Sequence, residues 1–385
     1  MLVASLYVYA FLGEFLLIYP VYTLLFIDTG LSVAETSSLF VIWSATGMVL
    51  EIPSGAWADR LSRRVTLFLG PLLAGLGFTL WLVFPSYWAF ALGFVLWGAE
   101  GALVSGAFEA LSYEELERRG QAHRYTAVMG RATAVGTVAA AAAIGLATPV
   151  LAAGGYPAVG VASVLACVLC AATALTLPEH RTRGDGAEEG YLAILKAGLT
   201  EVRTDRRVLR AVLLVAFVTA IWGALEEYVP YLAIEAGVTK AVIPMLILLT
   251  WVGATAGGLL AGRARHMPPR AYALTLALAA LAMAAGAVSG HPAGFVLIAL
   301  AFGAFQLAGV VADARMQEQI TGTARATVTS VAGLGMNVVT LAVYAAYGAT
   351  SSYVSNGLTF ALMVVPYAFI ALVTARSTAL APARR

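Results

Sequence analysis

Apolar runs of about 20 residues recur along this chain of 385 residues, and that periodicity constrains its fold more than any single motif. About 20 apolar residues in a helix cover the ~30 Å of hydrocarbon in a bilayer. Twelve such runs can be read, at about 3–27, 36–58, 65–84, 88–112, 124–149, 155–177, 208–234, 241–262, 270–289, 293–314, 324–349 and 353–375. They are too long for transmembrane strands and do not alternate apolar with polar residues, which excludes a β-barrel. With 61% hydrophobic and 11% charged residues, the chain lacks the polar surface of a soluble domain, where about a quarter of residues are charged. The expected fold class is therefore an all-α integral membrane protein with twelve transmembrane helices.

The basic residues set the expected orientation. Of 23 Lys and Arg, only Lys240 falls in the loops that join odd spans to the following even spans. The others crowd the alternate loops, the segment from Arg181 to Arg210 and the C-terminal end, with Arg131 just inside the fifth span. The positive-inside rule then puts both termini on the cytoplasmic side of a multi-pass inner-membrane protein, which requires an even number of spans. The first run begins at residue 1 without a basic leader and is long enough to span, so no cleavable signal is expected. The longest polar stretch, Pro178 to Arg207, separates an N-terminal lobe (1–177) from a C-terminal lobe (208–385). Within it, Tyr191, Leu192, Ile194, Leu195 and Leu199 form an amphipathic pattern suited to a helix on the membrane surface.

The hairpin after the second run reads Gly55-Ala-Trp-Ala-Asp59-Arg60-Leu-Ser-Arg63-Arg64. Its spacing, G-x-x-x-D-R-x-x-R-R, resembles the loop signature between helices 2 and 3 of the major facilitator superfamily of secondary transporters, with Ser62 where that signature usually has Gly. Gly258-Leu-Leu-Ala-Gly262-Arg263 is a degenerate second copy at the matching place in the other half. The resemblance covers the whole chain and is to the drug:proton antiporter-like members. It implies two six-helix pseudo-symmetric lobes working by alternating access, with helices 1, 4, 7 and 10 lining a cavity. It also implies that Asp59 holds the cytoplasmic side shut together with nearby Arg residues, with Glu109 as partner for Arg63 or Arg64 and Arg131 in the same network.

An ionisable side chain in mid-bilayer costs several kcal/mol, on the order of 2.5–3.5 on insertion scales, so each is a functional candidate. Glu14 and Glu100 fall near the middle of spans 1 and 4, and Glu226 and Glu227 in the outer half of span 7. Span 10 offers Gln306. Trp97, Trp222 and Tyr231 stand three or four residues from these acids, a same-face helical spacing. Carboxylates among aromatic rings, with no deep Lys or Arg, suit a small cationic or amphiphilic substrate held by charge and cation–π contact. A buried carboxylate also takes up protons readily, so competition between proton and cation at one site gives a basis for antiport.

In span 4, Trp97-Gly-Ala-Glu100-Gly101 stands where proton-coupled relatives carry R-x-x-Q-G, so Glu100 itself would carry the proton. In span 5, Gly136 and Gly145 keep the outer glycines of the exporters' G-x-x-x-G-P-x-x-G-G without its Gly-Pro core. The leading reading is proton-coupled efflux by a monomer; the alternative is a proton-coupled uptake symporter for a small metabolite. No H-E-x-x-H, G-x-S-x-G or phosphate-binding loop is present, and His123, His180, His266 and His291 fall in or beside loops. Neither an enzyme nor a nucleic-acid partner is expected. Cys167 and Cys170 form an isolated C-x-x-C inside an apolar run, read as helix packing, so neither a cofactor nor a metal is expected.

Overall fold

A computed structural model describes residues 2–60, 62–180, 205–320 and 325–376, without the side chains of 52–60 and 325–327. The amphipathic stretch of the linker lies outside the described residues. All regular structure among them is helical. Among the described residues, ten helices are long and apolar enough to cross a membrane. One of these, α6 (Tyr125–Ala174), holds two crossings, because its 50 residues would run about 75 Å if straight, more than twice the hydrocarbon thickness. It folds back at Gly155, whose φ of 65° and ψ of −164° lie in a region that only glycine adopts readily. A short pair, α1 (Leu2–Glu14) and α2 (Tyr22–Asp28), makes the first crossing and completes the twelve.

The chain divides into two compact units, Met1–Leu192 and Ala193–Arg385. The first holds α1, α2, α3 (Val33–Arg60), α4 (Arg63–Val83), α5 (Tyr87–Arg118) and α6. The second holds α7 (Arg206–Glu226), α8 (Val229–Glu235), α9 (Ile243–Ala261), α10 (Pro269–Val288), α11 (Gly294–Gln319), α12 (Arg325–Thr350), α13 (Asn356–Met363) and α14 (Val365–Arg376). Each unit packs its helices by the same scheme. In the first, α5 lies against α3 and α4, while α1 and α4 lie against α6; in the second, α11 lies against α9 and α10, α12 against α7, and α14 against α10. Small residues allow these approaches. A Cβ on Gly77 would meet the Gly93 carbonyl oxygen at 2.8 Å, and one on Gly257 would meet that of Gly303 at 1.9 Å.

Helix starts are written locally. Ser32 and Glu35 form a capping box for α3, with Ser32 Oγ accepting from Glu35 N at 3.2 Å and Glu35 Oε2 from Ser32 N at 2.8 Å. Asp205 caps α7 and Ser355 caps α13. Large apolar side chains such as Leu259, Leu281 and Phe369 are exposed, as suits a surface against lipid.

Three spans expected to be continuous are broken instead. The first breaks at 15–21, the seventh at Glu227–Tyr228 and the twelfth at Val364. Pro20, Pro230 and Pro366 lie in or just after these breaks, where a missing N–H and a locked φ interrupt the hydrogen-bond ladder. Two boundaries also move. Helix continues across the expected 150–155 loop as far as the Gly155 turn, and the fourth span runs on to Arg118 rather than ending at 112.

Candidate functional site: two broken helices that end on carboxylates

In the first unit, Glu14 is the last residue of α1, and the Leu16 N–H donates to its carbonyl at 2.9 Å. The Ile18 N–H, freed from the helical ladder, donates to Ser163 Oγ on α6 at 2.9 Å, which ties the break to α6. The Glu14 stem lies against Gly136, where an added Cβ would come within 3.1 Å of it. Glu100, midway along α5, packs beside Gly70 of α4. Its carboxylate is within electrostatic range of Glu14, Tyr9, Cys167 and Cys170. The Tyr9 hydroxyl donates to the Leu67 carbonyl at 3.0 Å, fixing α1 to α4. Both cysteines are free and buried, and no metal-binding group occurs among the described residues. Cys170 Sγ meets the Tyr9 carbonyl at 3.5 Å, so the C-x-x-C packs along the edge of the acidic pair.

The second unit ends α7 on Glu226, with Glu227 as its C-cap. The Trp251 indole N–H from α9 donates to Glu226 Oε1. Glu227 is only 9% exposed, and Tyr344 of α12 lies within electrostatic range of both carboxylates. Past the break, Tyr228 stacks on Tyr347 with ring centroids 3.6 Å apart. Trp222 packs edge-on to Phe302 at 5.3 Å, and its backbone N–H donates to the Tyr367 hydroxyl at 3.0 Å. Gln306 of α11 lies beside Gly258 of α9.

Two buried polar atoms near these breaks have no hydrogen-bond partner among the described residues: the Tyr7 hydroxyl and Trp222 Nε1. Each stands on the same helix face as the acid that ends its helix, Tyr7 two turns before Glu14 and Trp222 one turn before Glu226. Buried polar groups are nearly always satisfied, so these two donors stand out among the described residues.

Other expected site residues fall differently. Trp97 does not present a free ring face: it is 8% exposed, stacked on Trp43 at 4.8 Å and edge-on to Phe78 at 5.1 Å. It belongs to an aromatic core with Tyr22, Trp81 and Phe94. Tyr231 lies beyond the seventh-span break on α8, buried, so its four-residue spacing from Glu227 is not one helix face.

At the basic ends of the spans, Arg63 pairs with Glu114, not with the expected Glu109, because α5 extends past the point where the apolar run stops. Glu109, Arg64 and Arg131 are exposed. The side chains of Gly55, Asp59 and Arg60 lie outside the described residues; the backbone of α3 is helical through them. Sequence reading missed Glu179, whose carboxylate accepts from Ser62 Oγ and, at 2.7 Å, from the Arg63 N–H. It also missed a comparable pair in the second unit, Arg265 Nη2 to Glu318 at 2.7 Å, between the turn before α10 and the end of α11.

Several solved structures share this fold. A point mutant of the nucleoside transporter NupG superposes with a TM-score of 0.78 at 13% identity, covering 97% of this chain and 98% of that one. A bacterial homologue of the human lysosomal transporter Spinster gives 0.73 at 15% identity, covering 97% and 95%. A D-xylose-proton symporter gives 0.70 at 16% identity, covering 97% and 96%. No curated protein matches the sequence. The Major Facilitator Superfamily family model matches residues 3–340. A multi-pass, all-helical chain of two six-helix lobes, matched by that model over most of its length, belongs to the major facilitator superfamily of transporters.

Proposed function

We propose that this transporter moves a small cationic or amphiphilic molecule by alternating access, coupled to protons through Glu14 and Glu100, with efflux as the direction of net transport. The single observation that carries the reading is the placement of a carboxylate at the last turn of a broken helix in both units. A helix C-terminus carries about half a negative charge from its unsatisfied carbonyls. Adding a carboxylate there concentrates negative potential, which favours either a cation or a proton. In the first unit two carboxylates share that neighbourhood. Like charges so close resist joint ionisation, and a proton taken up by the pair leaves when a cation arrives. Trp222 Nε1 and the Tyr7 hydroxyl are donors free to meet polar atoms of the substrate.

The gate belongs to the basic hairpin. Asp59, four residues before the Arg63 that pairs with Glu114, holds the cytoplasmic side shut, with Arg60, Arg64 and Arg131 adding positive potential. A second reading, uptake of a small metabolite with a proton, draws support from the D-xylose-proton symporter that shares the fold.

Proteoliposomes carrying an imposed pH gradient test both readings. A panel of lipophilic cations, sugars and nucleosides is screened first for thermal stabilisation of the purified protein, then for flux. A cation accumulated against the proton gradient supports efflux; a sugar or nucleoside accumulated with it supports the second reading. Selective stabilisation by anions would overturn the acidic-site assignment.

A further inference from the structure

We propose that the second unit carries a binding site for one anionic phospholipid of the cytoplasmic leaflet, in a groove between α7 and α14 that no part of the transport mechanism uses. The groove has a volume of ≈ 730 Å³, with Gln319 at the end of α11 as a further wall. Its two ends differ in chemistry. Arg207, Arg210 and Arg376 stand at one end, and the floor beyond them is apolar, including Leu213, Phe217 and Phe369.

The dimensions select a lipid over a soluble partner. From Arg207 to Phe217 on α7, and from Arg376 back to Pro366 on α14, each helix advances about 15 Å. That is half of the ~30 Å hydrocarbon core, the depth of one leaflet. The guanidiniums therefore stand at headgroup level while the apolar floor runs down the acyl chains. Two antiparallel helices contribute Arg at the same depth, so the arrangement is not one helix's topological signal repeated. None of the three takes part in an ion pair among the described residues. The nearest charged neighbour of opposite sign along the chain, Asp205, is used as the α7 N-cap, accepting from the Arg207 N–H at 2.7 Å. Guanidinium groups bind phosphate in a bidentate, weakly hydrated mode, and basic clusters beside transmembrane helices recruit anionic headgroups. Leu213, Phe217, Phe369 and Val373 are exposed, an apolar surface for an acyl chain.

The full-length protein, purified in detergent, is titrated with phosphatidylglycerol, phosphatidylcholine and glycerol 3-phosphate while its Tm is followed. Phosphatidylglycerol is expected to raise Tm at lower concentration than phosphatidylcholine, and glycerol 3-phosphate to leave it unchanged. Arg207→Gln, Arg210→Gln and Arg376→Gln should each weaken the phosphatidylglycerol effect about fivefold. The triple variant should respond to the two lipids alike, while keeping the wild-type Tm in phosphatidylcholine. Arg→Lys at the same positions should restore most of the preference, which a variant failing only through misfolding would not. Equal responses of the wild type to both lipids would overturn the proposal. So would a full response to glycerol 3-phosphate, which would make this a free-phosphate site. A disulfide forming readily between Val373→Cys and Leu195→Cys would overturn it in a third way, by assigning the groove to the chain's own linker.

Discussion

The two units follow one packing plan and break the first helix of each at a carboxylate, yet they treat that carboxylate differently. In the first unit the break is long, from Phe15 to Val21, and its acid faces a second acid with two thiols and a tyrosine nearby. In the second the break is two residues long and Glu226 is already held by the Trp251 indole, with Tyr344 beside it. A pair of carboxylates without a dedicated donor exchanges a proton easily. A carboxylate fixed by an indole N–H is an oriented acceptor. On the proposed function, this difference separates the roles: the first unit couples and the second orients the substrate.

The strongest way to break this division is to neutralise the acids. Glu14→Gln and Glu100→Gln should each bring pH-gradient-driven flux to background in proteoliposomes, while counterflow exchange without a gradient persists. Wild-type coupling in both variants would remove the proton role. Glu226→Gln and Trp251→Phe should keep coupling but raise KM about tenfold, the worth of a hydrogen bond to a charged group. If either abolishes coupling, the two units do not divide the work.

Packing offers a test independent of transport. A Cβ on Gly257 would approach the Gly303 oxygen to 1.9 Å, whereas one on Gly77 would stay 2.8 Å from the Gly93 oxygen. Gly257→Ala should therefore destabilise more than Gly77→Ala, both within the about 1–3 kcal/mol of overpacked cores, as read by thermal denaturation. The smallest effects belong to the inner ion pairs. Arg63 is 20% exposed in its pair with Glu114, and Arg265 is 59% exposed in its pair with Glu318. Arg265→Gln should cost well under about 1 kcal/mol, as for exposed pairs generally, and Arg63→Gln somewhat more. Only the Arg63 pair should alter gating. Asp59→Asn and Arg63→Gln should speed cytoplasmic-side labelling of cysteines introduced near Glu14 and Trp222; equal labelling rates would count against the latch.

The number of crossings and the half-to-half repeat were legible because hydrophobic length is a coarse signal that survives any local irregularity. The breaks were not. Phe15-Leu-Leu-Ile is as apolar as the helix before it, so composition continues smoothly where the hydrogen-bond ladder stops. Pro20 and Pro230 were the visible cues, each in a Tyr- and Val-containing stretch, Tyr19-Pro20-Val21-Tyr22 and Tyr228-Val229-Pro230-Tyr231. Trp97 has the right spacing from Glu100, but periodicity cannot tell which neighbour covers a face, and Trp43 covers this one. The partner of Arg63 was misread because an apolar run marks where lipid ends, and a helix can continue beyond it into water, as α5 does to Glu114. Glu179 lies 116 residues from Arg63, a separation at which no local pattern speaks.

Gly155 has a consequence for biogenesis. A reversal at a single glycine leaves almost no chain to thread across the bilayer between the fifth and sixth crossings. Those two helices are therefore expected to enter the membrane as a preformed hairpin rather than one after the other. A side chain at 155 would strain the turn in the finished protein, and on this expectation it should also delay hairpin insertion. Pulse-labelled nascent chains bearing Gly155→Val should therefore persist in a protease-sensitive form before any defect in transport can be measured.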